Sequence, residues 1–191
     1  MTEDQLIQGC INNDRQCQRK LYDRYQGRMY SICLRYCKDV ALANDALQEG
    51  FIKVFKNIKS FRKEGDFTGW IRKIIVRSSV DQIRKETKHW KLSIEEVDQT
   101  FISIEIDTNF DKRDYEKLLG VLEKLPPGYR LVFFMNVIDE MSHQEIGEAL
   151  NISENTSRSQ LFRARKLLKE ILIESNPPFV QAYLQTKKKR L

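Results

Sequence analysis

The chain has 191 residues, enough for one ordinary domain or two small ones, and is 41% hydrophobic and 31% charged. Only 8 glycines and 4 prolines beside many Leu, Lys, Arg, Glu and Gln predict an all-α fold and argue against a sheet-built or low-complexity chain. A formal net charge of +6 points to a polyanionic partner, and no apolar run approaches membrane-spanning length.

The start, MTEDQLIQGC, has neither the basic n-region nor the apolar h-region of a secretory signal, so the expected location is cytoplasmic. Thr2 and Gln5 make a capping box ahead of a short amphipathic helix with Leu6, Ile7, Cys10 and Ile11. Asp14 caps the next helix, which turns Cys17, Leu21, Tyr25, Ile32 and Cys33 inward. The four cysteines (Cys10, Cys17, Cys33 and Cys37) contain no CxxC pair, and the histidines are only His89 and His143. That is no zinc pattern, so no metal and no cofactor is expected. Buried reduced thiols are the expectation, with a thiol redox switch as the alternative.

Asp39 caps a third helix, with Ala43, Ala46, Leu47, Gly50, Phe51, Val54 and Ile58 as its apolar stripe. Its other face shows Asp45, Gln48 and Glu49 beside Lys53, which composition alone reads as solvated surface. The segment SFRKEGDF then breaks the periodicity and reads as a loop presenting Phe61 and Phe67. Asp66 or Thr68 opens a long helix, TGWIRKIIVRSSVDQIRKETKHW. At about 100° per residue, Trp70, Lys73, Arg77, Arg84 and Lys88 share a sector of roughly 60°. A single-stranded nucleic acid site needs that combination, because cations track the backbone and an indole offers a face for a base. The alternative is that Trp70 belongs to the core and the cations form a solvated face. Ile71, Ile74, Ile75, Val76, Val80 and Ile83 supply the apolar side.

Charge marks a division here. Ile71 to Lys91 has seven basic and two acidic residues, whereas Leu92 to Asp111 has six acids and no base. Two modules joined by an acidic connector follow from this: a first domain over 1–91, a flexible linker over 92–112, a second domain over 113–175 and a basic tail over 176–191. FISIEI, at Phe101–Ile106, has some strand character, but a mobile connector is the expectation.

In the second module Asp114 starts a helix bearing Tyr115, Leu118, Leu119, Leu122 and Leu125, which Pro126-Pro127 ends. Pro127 starts the next, contributing Leu131, Phe134, Met135 and Ile138 to a core. Ser142 and Glu145 make a second capping box, with Met141 and Ile146 as its hydrophobic staple. The short helix buries Ile146 and Leu150, Gly147 leaves room for close approach, and Asn151 stops it. Ser153 caps a second helix with Ser157, Leu161, Ala164 and Leu168 inward and Asn155, Ser159, Phe162, Arg163 and Lys166 outward. From Asn155 to Lys169 there are five cations and no acid. Two helices, a short turn and a basic second helix describe a helix-turn-helix, the unit that lays its second helix in a DNA major groove. An ordinary helical hairpin is the blander alternative.

These segments together resemble an extracytoplasmic-function sigma factor, the two-domain branch of the sigma-70 family. DALQEGFIKVF (Asp45–Phe55) resembles the core-polymerase-binding helix, and FTGWIRKIIVRSSVDQIRK (Phe67–Lys85) the promoter-melting and recognition helix. Leu125–Leu168 resembles the second domain, with L-P-P, S-x-x-E-I-A/G and S-x-x-R-A-R. The resemblance implies a non-catalytic initiation factor whose partners are core RNA polymerase, promoter DNA and an anti-sigma factor, often at a membrane, with no small-molecule substrate. It assigns Asp45, Gln48, Glu49 and Phe51 to polymerase binding. Phe67, Trp70, Lys73, Arg77, Arg84, Lys85 and Lys88 fall to the proximal promoter element and its opening. Asn155, Thr156, Arg158, Ser159, Arg163 and Lys166 fall to the distal element as duplex. Ile75, Arg77 and Ser157 depart from the family's frequent residues, so the promoter sequence does not transfer. Ser157, where a small hydrophobic residue is common, opens a polar contact. A free-standing helix-turn-helix regulator is the rival reading, and a nucleic-acid enzyme ranks behind it.

Overall fold

A computed structural model describes residues 1–86 and 120–175. Lys88, the 92–112 connector, the Asp114 helix start with Tyr115, Leu118 and Leu119, and the 176–191 tail lie outside the described residues. The chain divides into two compact units, Met1–Lys91 and Leu92–Leu191. Every regular element among the described residues is helical, as composition predicted.

Unit one contains α1 (Glu3–Ile11), α2 (Arg15–Cys37), α3 (Val40–Asn57), a 3₁₀ turn at Ile58–Ser60, and α4 (Phe67–Glu86). Each start is dictated by a side chain that satisfies orphan amides. Thr2 and Gln5 close the capping box reciprocally at 3.2 and 2.9 Å. The Asp14 carboxylate accepts from the amides of Gln16 and Cys17 at 2.7 and 3.2 Å. Lys38 ends α2 in the left-handed conformation, and Asp39 caps α3 through Leu42 N at 2.8 Å. For α4 the cap is Asp66 rather than Thr68, with Gly69 N donating to its carboxylate at 3.0 Å.

Helices α2, α3 and α4 pack mutually and α1 closes on α2. Leu21, Met29, Cys33, Val54, Ile71, Ile75 and Val80 are buried at the centre. At Gly50 an added Cβ would lie 2.4 Å from Ile75 Cδ1, so glycine lets α3 and α4 come this close.

Unit two has α5 (Pro127–Phe133), a π-turn at Phe134–Ile138, α6 (His143–Leu150) and α7 (Glu154–Ser175). Pro127 sits at N1 of α5, where its missing N–H is no loss. The π-turn, closed by Asp139 N to Phe134 O at 2.9 Å, was not legible from the sequence. Ile138, expected in the core, is half-buried, whereas Val132 and Phe133 are buried.

Candidate nucleic-acid interface

The outer face of α3 carries Asp45 and Gln48, both exposed, and Glu49, half-buried. Phe51, which the resemblance groups with them, lies instead in the inward stripe that periodicity gave it. It is 2% exposed and meets the Tyr22 ring edge-on at 4.7 Å, because it shares the inward stripe of Leu47 and Val54. The apolar side chain on the outer face is its neighbour Ile52, 52% exposed. Helical spacing from Asp45 and Gln48 would have found it.

A second correction concerns the 61–66 loop. Phe67 is 1% exposed, so it is not presented outward. Trp70 stacks on it with ring centroids 5.6 Å apart and 16° between planes, while Phe61 and Tyr25 meet it edge-on at 4.9 and 5.8 Å. This aromatic cluster consumes Phe67 as a base for Trp70, and leaves Trp70 half-buried. Neither pure core nor free platform describes it. The loop is tied back at Lys63, whose ammonium pairs with Asp4 at 2.7 Å, and Glu3 accepts from the Tyr25 hydroxyl.

Lys73, Arg77 and Arg84 lie half-buried along α4 at the stripe positions. Lys85 stands apart from them. Its ammonium binds Glu49 at 2.9 Å, and this hydrogen bond holds the Glu49 carboxyl below its ordinary range. Beside it Lys53 pairs with Asp81 at 2.9 Å, and Arg84 approaches Asp81 at 3.9 Å. Glu49, Lys53, Asp81, Arg84 and Lys85 line one groove between α3 and α4. A residue assigned to polymerase and a residue assigned to DNA are therefore ion-paired with each other.

In unit two, Ser142 and Glu145 form the capping box of α6, and Asn151 ends it at φ 55°. A Cβ at Gly147 would lie 2.8 Å from the Ile152 carbonyl oxygen, so the turn packs directly against α6 there. Ser153 caps α7 by accepting from Thr156 N at 3.0 Å, and its hydroxyl also bonds that of Thr156 at 2.8 Å. Asn155, Arg158 and Lys166 are exposed, and Arg158 pairs with Glu154 one turn back. Ser159 donates to the Thr156 carbonyl at 3.0 Å, and Arg163 donates to the Tyr129 hydroxyl at 3.3 Å. Thr156 and Arg163 are thus partly engaged inside the unit.

The inward stripe of Ser157, Leu161, Ala164 and Leu168 is buried throughout. Ser157 finds its polar contact in His143, with Nδ1 2.9 Å from Oγ. A buried serine in an apolar stripe signals that a partner must exist, but sequence does not say which.

Cys10, Cys17 and Cys33 are buried and Cys37 half-buried, all four unpaired. Burial pushes the Cys10 and Cys37 thiols up to about 11, keeping them protonated at neutral pH. Among the described residues no group of three or more His, Cys, Asp or Glu is placed to hold a metal. No helix among them is long and apolar enough to cross a membrane.

Two family models match the chain: Sigma-70 region 2 over residues 21–89, and Sigma-70, region 4 over residues 115–168. The ECF RNA polymerase sigma factor SigW of Bacillus subtilis (strain 168) is 30% identical over 170 residues, covering 80% of this chain and 87% of the relative. SigM of the same organism is 28% identical over 152 residues, covering 80% and 93%. Among solved structures, the sigma factor RpoE bound to the anti-sigma factor NepR from Bartonella quintana has a TM-score of 0.51 at 17% identity, with 81% and 95% covered. At that identity the likeness shows the fold alone.

Proposed function

The chain belongs to the extracytoplasmic-function sigma factors of the sigma-70 family, and from that premise we propose a division of labour among its residues. The protein is a transcription initiation factor that binds core RNA polymerase and directs it to promoters. Sigma factors act by binding rather than by covalent catalysis. In this reading unit one spans 1–91, the acidic 92–112 segment connects it to a second domain over 113–175, and the protein works in the cytoplasm beside its polymerase. Asp45, Gln48 and Glu49, joined by exposed Ile52, form the polymerase face of α3. Trp70, on its Phe67 base, with Lys73 and Arg77 supports the opened strand, and Arg84, Lys85 and Lys88 add phosphate contacts. Asn155, Arg158 and Ser159 near the start of α7 read duplex base edges, with Thr156 ordering that start and Arg163 and Lys166 on phosphates. An anti-sigma factor would occlude these same faces.

One observation carries the reading: a single chain holds both an aromatic-cation stripe on α4 and a helix-turn-helix whose second helix is basic. A free-standing regulator would need only the latter. The test is Glu49→Lys combined with Gln48→Ala, followed by co-elution with core RNA polymerase. Loss of the complex with unchanged helical content is expected. Undiminished co-elution would remove those residues from the polymerase face.

A further inference from the structure

The hydrogen bond between His143 Nδ1 and Ser157 Oγ joins the first residue of α6 to the inward face of α7. Ser157 is fully buried, in a stripe otherwise made by Leu161, Ala164 and Leu168. Packing of these apolar side chains holds the two helices together, although burial as such is not directional. A hydrogen bond is directional. At the far end of α6 the backbone supplies one fixed point, Ile152 N to Gly147 O at 3.0 Å. The His143–Ser157 bond supplies the second, at the opposite end of an eight-residue helix. The first fixes the turn that leads into α7, and the second ties α7 itself to the start of α6.

Ser157 also lies between Thr156 and Arg158, inside the segment assigned above to base reading. Rotation of α7 at this point would swing Asn155 and Arg158 together. Either imidazole tautomer sustains the bond, since a serine hydroxyl both donates and accepts.

We propose that His143 is a positioning residue for distal-element recognition, orienting α7 through Ser157; this rests on the assignment of α7 as the duplex-reading helix. His143 touches no base in this role. It sets the presentation of residues that do.

The experiment uses the full-length chain in complex with core polymerase. The probes are a promoter duplex selected from a random library by the wild-type complex and the same duplex with its distal element scrambled. The quantity read is the ratio of the two affinities, alongside the melting temperature of each free variant. His143→Phe keeps an aromatic ring without the polar atom, and His143→Asn places an amide atom near the Nδ1 position. His143 is half-buried at a helix start, and the melting temperatures report what either substitution costs the fold.

Expected is a drop in discrimination of about tenfold for His143→Phe, recovery of most of it in His143→Asn, and no further loss when Ser157→Val is added to His143→Phe. Wild-type discrimination in His143→Phe overturns the proposal. So does a loss that follows melting temperature across the variants, with Asn no better than Phe, because that is a purely structural role. Asn155→Ala with Arg158→Ala separates the two levels of inference. If this pair lowers discrimination while His143→Phe does not, only the positioning role fails. If neither lowers it, the assignment of α7 fails as well.

Discussion

His143 is held below the ordinary histidine range by partial burial first and by the Arg158 and Arg165 charges second, with Glu154 opposing. The unfolded chain, with an ordinary histidine near 6.5, therefore takes up a proton at a pH where the folded imidazole is still neutral. This contribution to stability is complete above that value and is lost as pH falls from it through the lower folded one. Denaturant unfolding at about pH 7.5 and about pH 5.5 should show weaker folding at the lower pH, with part of the decline absent in His143→Asn. An NMR titration placing the His143 midpoint above the free-histidine value would contradict both statements. Phe51 and Phe67 look alike in sequence whether presented to a partner or folded inward, and burial decided both.

Among the elements, α6 and α7 owe their close junction to Gly147, where a side chain would drive into the Ile152 carbonyl oxygen. Gly147→Val should destabilise unit two by about 2–3 kcal/mol, seen as a lower denaturation midpoint. Midpoints equal to wild type would mean the turn yields easily. Helix α4 serves two neighbours at once. Near its start Trp70 stacks on Phe67, while near its end Lys85 reaches across to Glu49 on α3. Both partners are partly exposed, so the pair contributes little to folding, on the order of 0–1 kcal/mol. Its consequence is for availability. In the free protein Glu49→Gln should release Lys85 and tighten binding to a single-stranded oligonucleotide by about two- to fivefold. The logarithmic salt dependence should steepen by about 0.7. Anisotropy titrations at several salt concentrations measure both; identical curves would deny Lys85 a phosphate role.

For the whole molecule, the net charge of +6 is less informative than its placement, with basic segments on either side of an acidic one. Promoter binding by the polymerase complex should weaken steeply with salt. Arg163→Ala should reduce that slope by about 0.9 while leaving co-elution with polymerase unchanged. An unaltered slope would remove Arg163 from the phosphate contacts.

Sequence by itself determined the helical class, the caps at Thr2, Asp14, Asp39, Ser142 and Ser153, and the inward stripe of α7. These are local properties: a cap bonds an amide two or three residues away, and periodicity places side chains on one helix face. It also carried the family, because three motifs in order are legible without coordinates. Tertiary structure alone decided the rest. That Glu49 pairs with Lys85, 36 residues on, that Phe67 underlies Trp70, and that His143 answers the buried Ser157 all depend on how helices cross. Crossing geometry is set by packing of whole faces, which no short stretch of sequence encodes.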